Sequence, residues 1–181
     1  MLLVDLEQLE FQDIVMHGVS ARRTARHFGL GYDYEQRAHV EEAEPLPRWL
    51  EPLRERCAEL AGVLADALVE TLVQRYPEGA TMGWHRDAPS FGLVIGVSLG
   101  SSARFRFRRG SKGHWTTWEL DLPPRSAYVL AGEARTNWQH SVPPTKALRY
   151  SITFRTLKPR VRPVAPAGYT EQATPSTTNE R

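Results

Sequence analysis

The sequence predicts one domain of the α+β class that is mainly β: an antiparallel sandwich or barrel covered on one side by a helix. Three observations support this prediction. The length of 181 residues suits a single domain. One stretch shows the apolar spacing that is typical of an amphipathic helix. Beyond it, short apolar segments alternate with Gly and Pro, as in antiparallel β proteins.

The N-terminal part of the chain is predicted to be extended. Residues 1–20 mix short apolar runs and are interpreted as an arm or an edge strand. Residues 22–34 place basic and aromatic side chains around Gly29 and Gly31, which indicates a strand-turn-strand. These side chains are Arg22, Arg23, Arg26, His27, Phe28, Tyr32 and Tyr34.

One helix and six strands are predicted in the rest of the chain. The helix covers residues 47–62, where Pro47 suits a helix start and the apolar stripe consists of Trp49, Leu50, Leu53, Cys57, Leu60 and Leu64. The strands cover residues 70–76, 92–99, 104–108, 118–122, 127–130 and 148–157. The Pro-rich segment 159–181 shows no periodicity, so we expect a disordered tail.

Composition excludes several classes of protein. Hydrophobic residues make up 41% and charged residues 24% of the chain, which is typical of a soluble globular protein. The net charge is only +2, so attraction to nucleic acid has to come from local clusters. The single cysteine, Cys57, excludes disulfide scaffolds and cysteine-based zinc sites. Without a signal peptide or an apolar run of roughly 20 residues, a cytoplasmic protein with no membrane span is expected.

Three residues are candidate metal ligands. On a strand, His85 and Asp87 would point to one face, which places an imidazole beside a carboxylate. Such a pair is two-thirds of the 2-His-1-carboxylate site that holds non-haem Fe(II), although a solvated turn pair explains it as well. His140 is the candidate third ligand, because the other histidines lie in polar, basic or turn surroundings. A core or turn position remains the alternative for His140.

The last predicted strand has two chemically different faces. Tyr150, Ile152 and Phe154 share one face, and the other carries Arg149, Ser151, Thr153 and Arg155. An ordinary half-buried strand with its arginines in water explains this alternation. An enzyme that uses 2-oxoglutarate also needs such a face, because a guanidinium can bind the distal carboxylate through two hydrogen bonds.

Taken together, segment 74–87, His140 and strand 149–155 resemble the AlkB family of Fe(II)/2-oxoglutarate dioxygenases, and the resemblance covers residues 20–157. It implies a double-stranded β-helix, or jelly roll, with Fe(II), 2-oxoglutarate and O2 as cofactor and cosubstrates. The implied organisation is an arm at 1–20, a dioxygenase domain at 21–158 and a tail at 159–181. Within the domain, residues 21–46 would recognise substrate and residues 70–157 would form the jelly-roll core.

The resemblance also implies a role for individual residues. His85, Asp87 and His140 match the iron ligands of the catalytic centre. Arg149 matches the arginine that grips the far carboxylate of 2-oxoglutarate, Tyr76 the tyrosine that hydrogen-bonds it, and Arg155 the second arginine near cosubstrate or substrate. Gln74 and Ser151 replace two asparagines of the family pattern in the cosubstrate site. Pro89 stands where founding members have an acid that reads the base.

The implied reaction is the oxidative dealkylation of N-alkylated nucleobases in DNA or RNA, as in DNA repair, with release of aldehyde, succinate and CO2. The implied partner of this expected monomer is single-stranded or damaged nucleic acid. Candidate substrate-binding residues are Tyr32, Tyr34, Arg26 and Trp84, and candidate phosphate contacts are Arg22, Arg23, Arg104, Arg106, Arg108, Arg109 and Lys112. The two tyrosines could equally be packing residues, and the basic run could be an ordinary surface strand.

Two alternatives remain open. One is a dioxygenase of the same fold that acts on protein or another small substrate, which the absence of an acid at Pro89 allows. The other is a jelly-roll binding module without catalysis. The presence of all three ligand candidates and of both arginines argues against the second alternative, because a decayed site would be expected to lose at least one of them.

Overall fold

The computed structural model describes residues 2–16, 18–33, 38–40 and 44–158, with only the main chain described at 16, 31–33 and 38–40. Tyr34 and the predicted tail at 159–181 lie outside the described residues. The helices are α1 (Leu2–Glu7), α2 (Glu51–Ala61) and α3 (Gly132–Thr136), with 3₁₀ turns at Arg48–Leu50 and Ala65–Ala67. The strands are β1 (Gln12–Met16), β2 (Val19–Gly29), β3 (Gly31–Asp33), β4 (Ala38–Val40), β5 (Glu70–Tyr76), β6 (Met82–His85), β7 (Phe91–Gly100), β8 (Ala103–Ser111), β9 (His114–Leu122), β10 (Ser126–Leu130), β11 (Gln139–Val142) and β12 (Arg149–Leu157).

Two antiparallel sheets form the body of the domain. The larger has the order β1-β2-β5-β12-β7-β10, the smaller has the order β6-β11-β8-β9, and β3 pairs with β4 alone. The two sheets face each other across a shared apolar layer, in which Val94 and Leu130 of the larger sheet meet Phe105, Phe107 and Val142 of the smaller sheet. This architecture is the antiparallel sandwich that the strand pattern predicts and the jelly roll that the family resemblance implies, and the predicted fold class is confirmed.

The alternation along β12 explains how the larger sheet packs against the helical layer on one face and against the smaller sheet on the other. Tyr150, Ile152 and Phe154 are buried on the outer face, in the apolar cluster that also contains Leu50 and Cys57 of the helical layer. Successive side chains of a strand point to opposite faces. The polar residues Arg149, Ser151, Thr153 and Arg155 therefore lie on the inner face, toward the smaller sheet, and all four are buried.

Helix α2 ends where the sequence predicts. Gly62 adopts the left-handed conformation with φ of 66°, and its N–H bonds to the carbonyls of Ala58 and Glu59. The helical stripe is narrower than predicted, because Leu60 and Leu64 are 56% and 80% exposed. The α-helix starts at Glu51, after the 3₁₀ turn that follows Pro47.

The N-terminal segment departs from the predicted extended arm. Residues Leu2–Glu7 form helix α1, and Leu6 is fully buried in the cluster beneath α2. Strand β1 pairs with β2 at the edge of the larger sheet, in agreement with the predicted edge strand. The segment 2–16 is thus packed against the domain. Burial of Leu6 in this packing favours a short helix over an extended chain. Among the described residues, no helix is both long and apolar enough to span a membrane.

We expect the thiol of Cys57 to be unreactive in the folded protein. Cys57 is 3% exposed, and burial raises its pKa from 9.0 to about 11, which leaves about a hundredfold less reactive thiolate at pH 8. Labelling with a thiol reagent should be complete in denaturant and very slow without it. Cys57→Ala should retain turnover, so a large loss of activity in a folded Cys57→Ala variant would reveal a redox role.

Candidate metal centre

The three predicted ligands converge between the two sheets. His85 is the last residue of β6, and His140 lies directly opposite it on β11. Asp87 lies two residues beyond the end of β6, in an irregular segment, whereas the sequence-based argument placed it on the same strand as His85. This is a correction: the carboxylate reaches the site because the chain leaves the strand, and not because of period-2 alternation.

The distances suit a single metal ion. One donor atom from each of His85, Asp87 and His140 lies within 4.8 Å of the others, and His140 Nε2 is 3.8 Å from Asp87 Oδ2. Asp87 Oδ2 is buried without a hydrogen-bond partner in the described part of the chain. His85 Nδ1 is 2.9 Å from the carbonyl oxygen of Gly83, a contact that favours a proton on Nδ1 and leaves Nε2 for the metal. Two imidazoles and a carboxylate are the donor set that holds non-haem Fe(II).

The electrostatics keep the ligands in their metal-binding forms. Burial, reinforced by His85, lowers the pKa of His140 to about 4, so this imidazole is neutral at pH 7. Burial alone would raise the pKa of Asp87, but Arg155 and the two histidines bring it below its usual range. Metal binding requires a neutral imidazole and an ionised carboxylate.

The predicted cosubstrate residue Arg149 occupies one end of the inner face of β12. It is 1% exposed, its Nε donates to Ser98 Oγ at 3.0 Å, and its guanidinium carbon lies 5.1 Å from the centre of the Tyr76 ring. Its Nη1 has no hydrogen-bond partner among the described residues. A buried guanidinium with one nitrogen unsatisfied is suited to the carboxylate of a small anion.

The other predicted cosubstrate residues lie beside Arg149. Gln74 and Ser151 face each other across β5 and β12, and the Tyr76 hydroxyl donates to Gln74 Oε1 at 2.9 Å. Burial raises the pKa of Tyr76 despite the opposing charge of Arg149, so the phenol stays protonated and able to donate. Ser98, which sequence reasoning did not single out, completes this polar row from β7.

The second arginine of the motif is already paired within the chain. Both carboxylate oxygens of Glu70 lie 2.8 Å from Arg155 Nη1, and Arg155 Nη2 donates to Asp87 Oδ1 at 3.2 Å. The sequence-based role of Arg155 near cosubstrate or substrate stays a prediction. The structure places its guanidinium against a metal ligand.

Arg135 of α3 anchors the segment that carries Asp87. It is 6% exposed, and its guanidinium donates to the carbonyls of Asp87, Ala88 and Phe91. Sequence reasoning missed both Arg135 and Glu70. A charged residue at the start of an apolar strand was a signal for Glu70, and nothing in the local pattern marked Arg135.

An aromatic groove of about 440 Å³ lies beside the metal centre, between the smaller sheet, β10 and α3. Its walls include Phe105 and Phe107, whose ring centres lie 5.2 and 6.4 Å from that of His140. The other rings that line it are those of Trp118, Tyr128 and Trp138. The predicted alternation of β8, with phenylalanines inward and arginines outward, is confirmed at Phe105 and Phe107.

Two predicted substrate residues lie away from the metal centre. Arg26 is on the outer face of β2, where it pairs with Glu44, because it shares a face with Val73 and Phe28 and not with Gln74. Trp84 precedes His85 on β6 and so points to the opposite face of the smaller sheet, beneath Arg106 and Arg108. Tyr32 lies in β3, its side chain outside the described part, and the stacking role of Tyr32 and Tyr34 stays a prediction.

The basic run on β8 is largely paired on that same outer face. Arg104 lies 3.4 Å from Glu119 and 3.5 Å from Asp121, and Arg108 donates to Gln139 at 2.8 Å. Arg109 lies over Trp138 at the other side of the sheet and 3.5 Å from Glu133. The run is therefore no uninterrupted cationic strip, and Arg104, Arg106 and Arg108 point away from the ligands.

Comparison with known proteins agrees with this geometry. The sequence pattern of the 2OG-Fe(II) oxygenase superfamily matches residues 8–155. The chain belongs to this superfamily. An uncharacterized protein of Acanthamoeba polyphaga mimivirus is 28% identical over 123 residues, which cover 61% of this chain and 58% of that protein.

Two further relatives carry AlkB-type names. The Arabidopsis thaliana protein named alkylated DNA repair protein ALKBH8 homolog is 29% identical over 147 residues, covering 68% of this chain and 42% of the relative. The Mus musculus tRNA (carboxymethyluridine(34)-5-O)-methyltransferase ALKBH8 is 28% identical over 137 residues, covering 68% of this chain and 19% of the relative. The chain spans less than two thirds of each of the three relatives.

The resemblance to AlkB-like 2-oxoglutarate oxygenases that the sequence indicated is thus confirmed. The domain is a dioxygenase whose cofactor is Fe(II) and whose cosubstrates are 2-oxoglutarate and O2. The His85, Asp87 and His140 cluster is the site in the described chain that fits the metal.

Removal of one imidazole should abolish tight metal binding. We expect His140→Ala to weaken the binding of Mn(II) or Co(II) by at least about 100-fold. The substitution removes a ligand, and even the loss of a residue that only hydrogen-bonds a ligand lowers metal affinity by about 10- to 100-fold. Isothermal titration without 2-oxoglutarate measures this affinity. His114→Ala, at an exposed position on β9, is the control and should bind metal like the wild type. Unchanged affinity in His140→Ala would place the metal elsewhere.

Proposed function

We propose that this oxygenase removes N-linked alkyl groups from nucleobases in single-stranded DNA or RNA. Fe(II) with 2-oxoglutarate and O2 supplies the oxidising chemistry, and the products are the dealkylated base, an aldehyde, succinate and CO2. The observation that carries the proposal is a set of three arginines, Arg22, Arg23 and Arg86, around the segments that lead to the metal ligands. We call them the rim arginines.

The rim arginines contact main-chain atoms of segments that flank the metal ligands. Arg23 lies on the inner face of β2 and donates to the carbonyl of Thr81, just before β6. Arg22 Nη1 packs against Gly79 in the same turn, and Arg86 donates to the carbonyl of Thr136 at the end of α3. Arg23 and Arg86 each use one guanidinium nitrogen in these hydrogen bonds, which leaves other N–H groups for phosphate oxygens. Glu78 is the acid exposed in this turn.

The names of the relatives support a nucleic-acid substrate. One is named for repair of alkylated DNA and another for modification of tRNA. A base in a duplex has to leave the stack before it reaches a site between two sheets, so a single strand costs less unpairing energy. We therefore propose single strands as the preferred form. We also propose that the protein is a monomer and is located in the cytoplasm, as expected from the sequence.

The protein groups divide the work around the metal. We propose that Arg149 binds the distal carboxylate of 2-oxoglutarate, with Tyr76, Gln74 and Ser151 supplying polar contacts beside it. His85 is less buried than His140, so the target base approaches over the His85 ring. Pro89 is exposed in the turn after Asp87 and offers no hydrogen-bond donor, so discrimination between adenine and cytosine lesions should be weak.

Turnover with matched substrates tests the proposal. Succinate and formaldehyde release should be highest with a single strand that contains 1-methyladenine or 3-methylcytosine, compared with the unmethylated strand and with a methylated peptide. Affinity should fall with salt, with a slope of about 2 in log–log form if three phosphates are neutralised at about 0.7 each. Turnover of the peptide alone, or binding that ignores salt, would contradict the proposal.

The rim arginines should matter for nucleic acid and not for cosubstrate. We expect Arg86→Ala to raise the KM for the methylated strand several-fold and to lower the salt slope by about 0.7, because one phosphate contact is lost. The KM for 2-oxoglutarate should stay unchanged. Arg75→Ala, on the outer face of β5, is the matched control. Equal effects of the two substitutions would contradict a specific role for the rim.

Arg149 should determine cosubstrate affinity. Arg149→Lys keeps the charge but loses the planar fork, so we expect the KM for 2-oxoglutarate to rise by about 10- to 100-fold, the cost of one to two strong hydrogen bonds. Metal binding without 2-oxoglutarate should be retained. Arg75→Lys serves as the control. An unchanged KM in Arg149→Lys would show that another group binds the carboxylate.

The aromatic groove favours a second candidate, an apolar or aromatic small substrate of the same oxygenase. The groove is lined by Phe105 and Phe107, which cover His140, and by Trp118, which is 55% exposed. If this candidate is correct, Trp118→Ala should impair turnover while Arg86→Ala leaves it intact. The nucleic-acid proposal expects Arg86→Ala to have the larger effect.

A further inference from the structure

We propose that Glu70 is a positioning residue that acts through Arg155 to hold Asp87 as a one-oxygen ligand of the metal. The inference concerns the metal centre of the oxygenase and does not depend on the substrate proposed above.

Glu70 and Arg155 form a buried ion pair in register. Glu70 begins β5, lies directly opposite Arg155 on β12 and is fully buried, and the side chain of Arg155 is 4% exposed. Both oxygens of Glu70 lie 2.8 Å from the same nitrogen, Nη1. Burial of a charge is costly unless it is paired and hydrogen-bonded. Glu70 therefore determines where the guanidinium of Arg155 can lie.

The other end of that guanidinium makes the two oxygens of Asp87 unequal. Arg155 Nη2 donates to Oδ1 at 3.2 Å, whereas Oδ2 lies 3.8 Å from His140 Nε2 and has no hydrogen-bond partner among the described residues. Oδ2 is thus the oxygen available to a metal. Binding through one oxygen conserves coordination positions, which an oxygenase needs for cosubstrate and O2.

Neighbouring groups keep this pair in place. The ring of Phe91 lies 5.3 Å from the guanidinium carbon of Arg155, and His27 Nδ1 lies 3.4 Å from Glu70 Oε1. Gly29, opposite Glu70 in the register, has φ of 79° and passes so close to Val69 that a Cβ would collide with its carbonyl. The fold thus holds Glu70 from β2 and Arg155 from the segment that follows Asp87.

This role differs from the one that the family resemblance implies for Arg155. Arg149 and Arg155 are six residues apart, or roughly 20 Å along an extended strand. Arg149 has an unsatisfied nitrogen, while Arg155 binds two carboxylates of the chain itself. A cosubstrate role predicts that disturbing Arg155 alters 2-oxoglutarate affinity, whereas a positioning role predicts that it alters metal affinity when no cosubstrate is present.

Two measurements on Glu70→Gln separate these roles. The first is the affinity for Mn(II) and Co(II) without 2-oxoglutarate, by isothermal titration, and the second is the KM for 2-oxoglutarate at saturating Fe(II). We expect metal affinity to fall by about 10-fold or more, as for other residues that orient a ligand, and the KM to change less than twofold. Glu44→Gln removes the same charge from the Arg26 pair on the outer face and should leave both values unchanged.

Several outcomes would overturn the inference. One is wild-type metal affinity in folded Glu70→Gln, whether or not the KM changes. Another is equal loss of metal affinity in Glu44→Gln. If Glu70→Gln does not fold, the crystal structure of the wild type with Mn(II) decides, because Asp87 bound through both oxygens contradicts the proposal and Oδ1 retained on Arg155 supports it. Failure of the nucleic-acid proposal would leave all these metal-binding results intact.

Discussion

Burial of two arginines on one face of β12 is the constraint on which the site depends. A buried guanidinium needs an anionic partner. The two ends of the strand differ in whether the chain itself provides that partner. At Arg155 the chain supplies Glu70 and Asp87. At Arg149 it supplies Ser98 and an aromatic ring, which leave one nitrogen unsatisfied. The Arg149 end of the inner face is thus suited to an anion from outside the chain, and the cosubstrate of this family is a dicarboxylate.

The long strands could be predicted because their patterns are regular, and the short ones could not. Strand 70–76 was predicted with its observed bounds, and the faces of β12 followed from strict alternation of polar and apolar residues. Strands β6 and β11 have four residues each and mixed polarity, so periodicity gives no signal there. These two strands carry His85 and His140. The two histidines were therefore identified as ligands from their spacing relative to Asp87 and not from a strand pattern.

Side-chain neighbours across strands needed the structure. Periodicity assigns a residue to a face but does not say which strand lies beside it, so the pairing of Glu70 with Arg155 depends on a register that no local pattern contains. Arg26 was misplaced for another reason, because it lies on the outer face of β2, one residue out of phase with the inner face. Trp84 is different, because its position next to His85 on a strand already required the opposite face.

The chain buries the metal centre on one side and leaves it partly exposed on the other. His140 is 5% exposed beneath Phe105 and Phe107, and Asp87 is fixed through its carboxylate by Arg155 and through its main chain by Arg135. His85 is the ligand with a partly exposed ring, and Arg86 follows it in the chain. If the rim arginines bind substrate as proposed, substrate preference can change on the open side of the site without a change in the two buried ligands.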